Sequence, residues 1–303
     1  MAADDWDIDL KHAPDGNAGE VIDTMGRAAV LARRDAKRRG NVLYMPDQGE
    51  ILVTGDVHGC RPNFERILAF ADLEHHPDRH LVLHELIHGG PTDAEGGDLS
   101  WQLLEEAARL KIDYPDRVHI LLANHDVAEM LGIQLRKGSI NLTQSFAQGL
   151  QHAYGTQAAE VKRAYCDFFR ALPLAIKTPN RVWISHSTPH LAALADFNYS
   201  LFERPLGDDD FTRESQLYSF LWGRNQDDMA ARIFCRHVGC DILIVGHQPS
   251  QMGFKMPNSR HIILYSDNQL GRYLLLPLDQ KVTQSGLSYR VAKIADLPRP
   301  DEA

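Results

Sequence analysis

The sequence is poor in cysteine: four in 303 residues, Cys60, Cys166, Cys235 and Cys240, with no CxxC pair and no regular spacing. That excludes a disulfide framework and a zinc knuckle, and reduced thiols are expected. Long apolar runs are missing too. The stretches "DILIVG" and "YLLLPL" fall far short of the ~20 residues of a membrane helix. The start "MAADDWDIDL" lacks the basic and apolar regions of a signal peptide. No membrane association and a cytoplasmic location are therefore expected. Excess positive charge is absent: the net charge of −9 counts against a partner met through a nucleic-acid backbone. The one basic run, "RRDAKRRG" (Arg33 to Gly40), reads as the solvated last turns of an N-terminal helix ended by Gly40. Proline and glycine are too few for a linker or a fibre, and the apolar content is that of a globular chain. At this length one domain with a large core is expected.

What is present is a repeated order of strand, loop and helix. "NVLYMP" and "EILVTG" read as short strands, "RPNFERILAFADLE" as a helix, and "HLVLHELI" as a further strand. The helix "LSWQLLEEAARLKID" then leads to the strand "RVHILLAN". Such alternation implies a mainly parallel sheet whose loops gather at one edge. Residues 127–172 read as helices without chemistry. "RVWISHS", "DILIVGH", "HIILYSD" and "GRYLLLPL" suggest a second sheet packed on the first. The polar, aromatic stretch 197–228 reads as a surface insertion over the site.

The residues that follow each strand carry the chemistry. "ILVTG" is followed by Asp56 and His58, "HLVLH" by Glu85 and His88, and "HILLA" by Asn124, His125 and Asp126. "VWIS" delivers His186 and "LIVG" delivers His247. A lone Asp-x-His after a strand is usually a capped turn, but five strands each deliver a carboxylate, an amide or an imidazole to one edge. Carboxylate and imidazole without thiolate suit manganese, iron or zinc rather than calcium. There are more ligands than one ion needs, and two ions about 3.5–4 Å apart would use them. Gly55 and Gly59 let the backbone bend sharply beside them. His84 reads as a packing residue.

"GDVHG" (Gly55 to Gly59), "NHD" (Asn124 to Asp126), "SHSTP" (Ser185 to Pro189) and "GHQ" (Gly246 to Gln248) resemble the ordered motifs of the calcineurin-like metallophosphoesterases. The last two are closer to the serine/threonine protein phosphatase branch, as is Pro249 where other branches place a second His. The resemblance covers roughly residues 45 to 280. It implies a four-layer α-β-β-α sandwich, two mixed sheets flanked by helices. The implied limits are a helical extension over 1–44, the phosphoesterase domain over 45–290 and a tail over 291–303. It further implies Asp56 and His58 as ligands of a first metal, and Asn124, His186 and His247 of a second. Asn124 would also contact the phosphate. His125 would protonate the leaving oxygen of a phosphorylated substrate.

One motif departs from the pattern. Where the family has GDxxDRG, this chain has "HELIHGG", so Glu85 takes the place of the bridging Asp, His88 that of the Asp orienting the catalytic His, and Gly89 that of a phosphate-binding Arg. A Glu can still bridge two cations. His88 offers His125 no fixed negative charge, which leaves Asp126, Asp93 or Asp98 to supply it, while His88 itself would bind metal, act in proton transfer or make a structural hydrogen bond. Arg61 or Arg224 would replace the lost phosphate clamp. A phosphomonoesterase of protein phosphatase type follows. Hydrolysis of a dinucleoside polyphosphate, and a degenerate fold that binds a phosphorylated partner without turnover, stay open beside it.

Overall fold

In the computed structural model, which describes residues 17–299, the run "ILVTGD" has no exposed face. Ile51 and Val53, with Val82, point to one side and meet Ile184, Ile242, Ile244 and Ile262. Leu52, with Leu81 and Leu83, points to the other, toward helices. Burial on both faces is why these strands read as unbroken apolar runs instead of alternating ones. The acidic start and the last residues of the expected tail lie outside the described residues.

In chain order the strands are β1 (Arg38–Arg39), β2 (Val42–Tyr44), β3 (Glu50–Asp56), β4 (Arg79–His84), β5 (Val118–Leu121), β6 (Arg136–Lys137), β7 (Ile140–Asn141), β8 (Ala175–Lys177), β9 (Val182–Ser185), β10 (Ile242–Val245), β11 (Phe254–Lys255), β12 (His261–Leu264), β13 (Arg272–Pro277) and β14 (Val291–Lys293). One sheet runs β14-β13-β3-β4-β5, the other β1-β2-β8-β9-β10-β12-β11, and β6-β7 is a separate hairpin. Both large sheets mix parallel and antiparallel pairs. With an aliphatic layer between them and helices outside, the fold is the expected four-layer α/β sandwich.

The helices needed below are α1 (Ala18–Arg33), α2 (Arg61–Ala71), α3 (Trp101–Asp113), α4 (Asn124–Leu131), α5 (Leu142–Tyr154) and α6 (Ala158–Phe169). Several expected boundaries move. α1 buries Val21, Met25, Ala28, Ala29 and Ala32 against α3 and α6, and β2 pairs with β8, so the described residues 17–44 of the expected extension pack into the domain. The helix ends at Arg33 rather than running on to Gly40. Arg38 folds back, donating from Nη1 to the Ala32 carbonyl over 3.1 Å, which satisfies a helix-end acceptor. β13 joins β3 of the first sheet rather than the second. Val291–Lys293 pair with β13, so the expected tail begins as a strand. Segment 197–228 buries Phe197, Phe202, Phe211 and Phe220 near Trp183 and Phe234, so it fills the core instead of lying as a surface insertion, and Arg224 near its end reaches the site.

Strand direction sets the position of the site. β3, β4 and β5 run parallel, as do β9 and β10. A parallel bridge between Asp56 and Tyr265 joins the end of β3 to the residue after β12. The carboxyl ends of both sheets therefore open on one cleft.

Candidate active site

The cleft is lined by Asp56, His58, Glu85, His88, Asn124, His125, Arg224, His247 and the buried Tyr265, with the exposed Arg136 and Lys137 at its rim. Four of the six non-glycine residues with left-handed backbone among the described residues belong to it: His58 (φ 45°), Glu85 (41°), His88 (67°) and His247 (63°). Each such residue costs roughly 1–3 kcal/mol and persists only where its surroundings fix it. Here the surroundings are hydrogen bonds: the amide of His58 donates to Glu85 O over 2.8 Å, that of His88 to Ser100 Oγ over 2.8 Å, and that of His247 to Asp56 Oδ1 over 2.9 Å.

Four donor atoms from four segments crowd together. His186 Nε2 lies 2.8 Å from Asn124 Oδ1, 3.1 Å from His247 Nδ1 and 3.3 Å from Glu85 Oε2, while His247 Nδ1 lies 2.9 Å from Asn124 Oδ1. Hydrogen bonding alone does not account for these contacts. The two ring nitrogens bring at most one proton each, and even a protonated Glu85 leaves one contact between facing lone pairs. Donors about 2.1 Å from a shared cation stand roughly 3.0–3.4 Å apart, so a cation among them satisfies them all. A second group brings His58, Glu85 and His125 within 4.8 Å of one another.

His58 carries its proton away from the cleft. His58 Nδ1 lies 3.2 Å from the Ile87 carbonyl, to which it donates, so Nε2 keeps its lone pair. Burial holds His58 and His186 below the usual imidazole range and His247 down at about 3, so all three rings are neutral. Burial also pushes the Asp56 carboxyl up to about 7. Glu85 is held well above its ordinary range by burial and then by the charges of Asp56 and Asp126. These are acids that gain from a cation beside them. His84 is buried between Asp56 and His186 with neither ring nitrogen hydrogen-bonded.

The remaining expected residues fall into two groups. His88 and His125 meet, Nδ1 to Nδ1, over 3.1 Å. Asp126 does not support His125: it caps α4, accepting from the Ala123 amide over 2.9 Å. Asp98 accepts from the amides of Gly89 and Ser100, and Asp93 pairs with His152. The carboxylate behind His88 is Glu129, whose Oε1 is 2.9 Å from His88 Nε2. Arg61 also lies elsewhere. As the first residue of α2 it points toward α3, with Nη2 2.7 Å from Glu106 and Nη1 3.4 Å from Glu65. Arg224 does line the cleft, its Nε 3.3 Å from His247 Nε2.

The loops after β3 and β4 meet backbone to backbone. A Cβ on Gly59 would stand 2.4 Å from Gly89 O, and Gly89 itself has φ +117°. A residue with a side chain is strained in that conformation, so this loop as folded does not accommodate an Arg at position 89. Sequence reading missed Glu129, Arg136 and Lys137, all within the stretch assigned no chemistry. The only available signal was Glu129 four residues after His125, one helical turn on the same face.

A family model for calcineurin-like phosphoesterase matches residues 49–251. A probable serine/threonine-protein phosphatase of Encephalitozoon cuniculi is 24% identical over 242 residues, covering 74% of this chain and 48% of the relative. The chain thus spans about half the length of that curated relative. Among solved structures, a protein serine/threonine phosphatase from Saccharomyces cerevisiae with similarity to human phosphatase PP5 aligns over 94% of this chain and 91% of its own, with a TM-score of 0.63 and 16% identity. A cold-active protein-tyrosine phosphatase of a Shewanella species aligns over 82% and 80%, with a TM-score of 0.57 and 14% identity. At these identities the structural likeness speaks for the fold. Among the described residues no helix is long and apolar enough to cross a membrane.

Proposed function

Because the chain belongs to the calcineurin-like phosphoesterase family, we propose that it hydrolyses phosphate monoesters in the manner of the serine/threonine phosphatases it resembles, with two metal ions of the manganese, iron or zinc class. Asp56, His58 and Glu85 would hold one ion; Glu85, Asn124, His186 and His247 would hold the other. Bound metals would supply a hydroxide for attack on phosphorus and neutralise charge on the phosphoryl oxygens. His125 offers the cleft its second ring nitrogen, the first being engaged by His88, and protonates the leaving oxygen. Arg224, Arg136 and Lys137, at the cleft and its rim, attract and orient the phosphate dianion in place of the missing Arg.

The observation that carries this reading is the crowding of Glu85, Asn124, His186 and His247 donors, which too few protons exist to bridge. The test is manganese-dependent release of phosphate from a phosphoserine or phosphothreonine peptide, abolished by Asp56→Asn. Full metal occupancy with no turnover of any phosphomonoester would instead mark a protein that only binds a phosphorylated partner. Three cations around the cleft also suit a substrate with several phosphates. Faster cleavage of a dinucleoside polyphosphate than of the phosphopeptide would move the assignment to nucleotide hydrolysis.

A further inference from the structure

On the phosphatase reading above, we propose that Glu129 is a positioning residue: backed by Lys162 and acting through His88, it holds His125 as the proton donor to the leaving oxygen. The contacts form an unbroken line. Lys162 Nζ stands 2.5 Å from Glu129 Oε2, Glu129 Oε1 2.9 Å from His88 Nε2, and His88 Nδ1 3.1 Å from His125 Nδ1. The His88 and Glu129 side chains are 0% and 1% exposed, so water does not compete for these bonds. Lys162 is half-buried at the outer end.

Local structure builds this line. His125 and Glu129 lie four residues apart on α4, hence on one face, and His88 from the loop after β4 sits between them. The Phe146 ring of α5 packs at 87° to the His88 ring, centroids 5.1 Å apart, and fixes its plane. Other carboxylates near in sequence are committed elsewhere: Asp126 to Ala123, Asp98 to Gly89 and Ser100, Asp93 to His152.

The order of protons follows from the ends. Glu129 is an acceptor; burial alone would raise its carboxyl, but the His88 hydrogen bond and the Lys162 charge outweigh this and keep it below its ordinary range. With Glu129 accepting, His88 donates from Nε2, and a ring with that single proton presents a lone pair at Nδ1. His125 must donate its Nδ1 hydrogen to that lone pair, which leaves Nε2 for the cleft. In hydrolysis the oxygen of one water forms the new bond to phosphorus. The electron pair of the old P–O bond leaves with the substrate oxygen, which takes the Nε2 proton and departs as an alcohol. The ring returns to its neutral Nδ1–H form, the tautomer already held by His88, and a proton from the water recharges it. A buried ion pair serving only stability would not select that tautomer.

Two measurements on the full chain test this. In metal-free protein, nitrogen-15 shifts of the ring nitrogens are expected to show neutral His125 as the Nδ1–H tautomer, and Glu129→Gln is expected to convert it to a mixture. An Nε2–H tautomer in the unmutated protein would overturn the relay. In manganese-loaded protein, Glu129→Gln is expected to slow methyl phosphate at least about tenfold more than 2,4-dinitrophenyl phosphate, a fraction of the ~10²–10⁴ ascribed to a positioned acid. Only the poor leaving group needs the proton. Equal slowing of both would reduce Glu129 to a structural role. Lys162→Met, at the half-exposed end, should shift the same ratio in the same direction by less, and serves if Glu129→Gln does not fold. If the unmutated protein hydrolyses neither ester, the phosphatase reading fails, and the tautomer measurement still decides the relay.

Discussion

The amide of His247 donates to Asp56 Oδ1 over 2.9 Å, tying a loop that leaves one sheet to the last residue of a strand in the other. Gly246 makes this approach possible, since a Cβ there would stand 2.2 Å from the same oxygen. Gly246→Ala is therefore expected to displace Asp56 and weaken manganese binding about tenfold or more, the usual cost of disturbing a ligand's supporting contact. Titration calorimetry measures this, and an unchanged far-UV circular dichroism spectrum separates it from unfolding. Undiminished affinity would remove Asp56 from the metal set.

Manganese should stabilise the fold. At a free concentration one hundred times its dissociation constant it adds about 2.7 kcal/mol, a rise of several degrees in Tm for a domain of this size. Differential scanning fluorimetry should show that rise, its reversal by chelator, and its loss in Asp56→Asn and in His186→Ala. No rise in the unmutated protein would contradict the reading of the crowded donors.

Arg224 and Arg61 should behave differently. Arg224 lines the cleft, so Arg224→Ala is expected to weaken inhibition by inorganic phosphate or vanadate about tenfold, as for loss of one charge-assisted bond. Arg61 is held by Glu106 and Glu65, and Arg61→Ala should leave the same inhibition constant within about twofold. Equal effects of both changes would contradict the geometry.

Acid should destabilise the metal-free protein through histidines remote from the cleft. Burial holds His80 down at about 3, with the charge of His119 a further cause, and His261 at about 4. In the unfolded chain both titrate near ~6.5. Below that value the unfolded state binds more protons than the folded one, so stability is full above it and falls as pH drops toward 4. Each site contributes a slope of up to about 1.4 kcal/mol per pH unit. Tm in chelator is expected to fall steadily from pH 7 to 4.5, and a flat profile would contradict the burial of these rings as neutral species.

The convergence of Asp56, His58, Asn124, His186 and His247 was legible because each follows an apolar run, and parallel strands bring such positions to one edge. Arg61 was misjudged for an equally physical reason. It is close to Asp56 in sequence, but it begins a helix, and helical geometry aims it at Glu106. Glu129 could not be read as part of the site because its connection to His125 passes through His88, about forty residues earlier in sequence, and depends on how two loops pack. The hairpin carrying Arg136 and Lys137 has two-residue strands, too short for any periodicity to show. The pairing of β13 with β3 was likewise hidden, since an apolar run says that a strand is buried but not which neighbour it joins.

Gly59 and Gly90 touch through bare backbone: a methyl on Gly90 would lie 2.3 Å from Gly59 O, and one on Gly59 would lie 2.4 Å from Gly89 O. With no compressible side chain between them, the two loops share a common footing. His58 stands on one side of it and His88 on the other, so an error in placing either is transmitted to its counterpart. The placing of His58 in the cleft and of His88 against His125 is thereby made a single variable, kept or forfeited together.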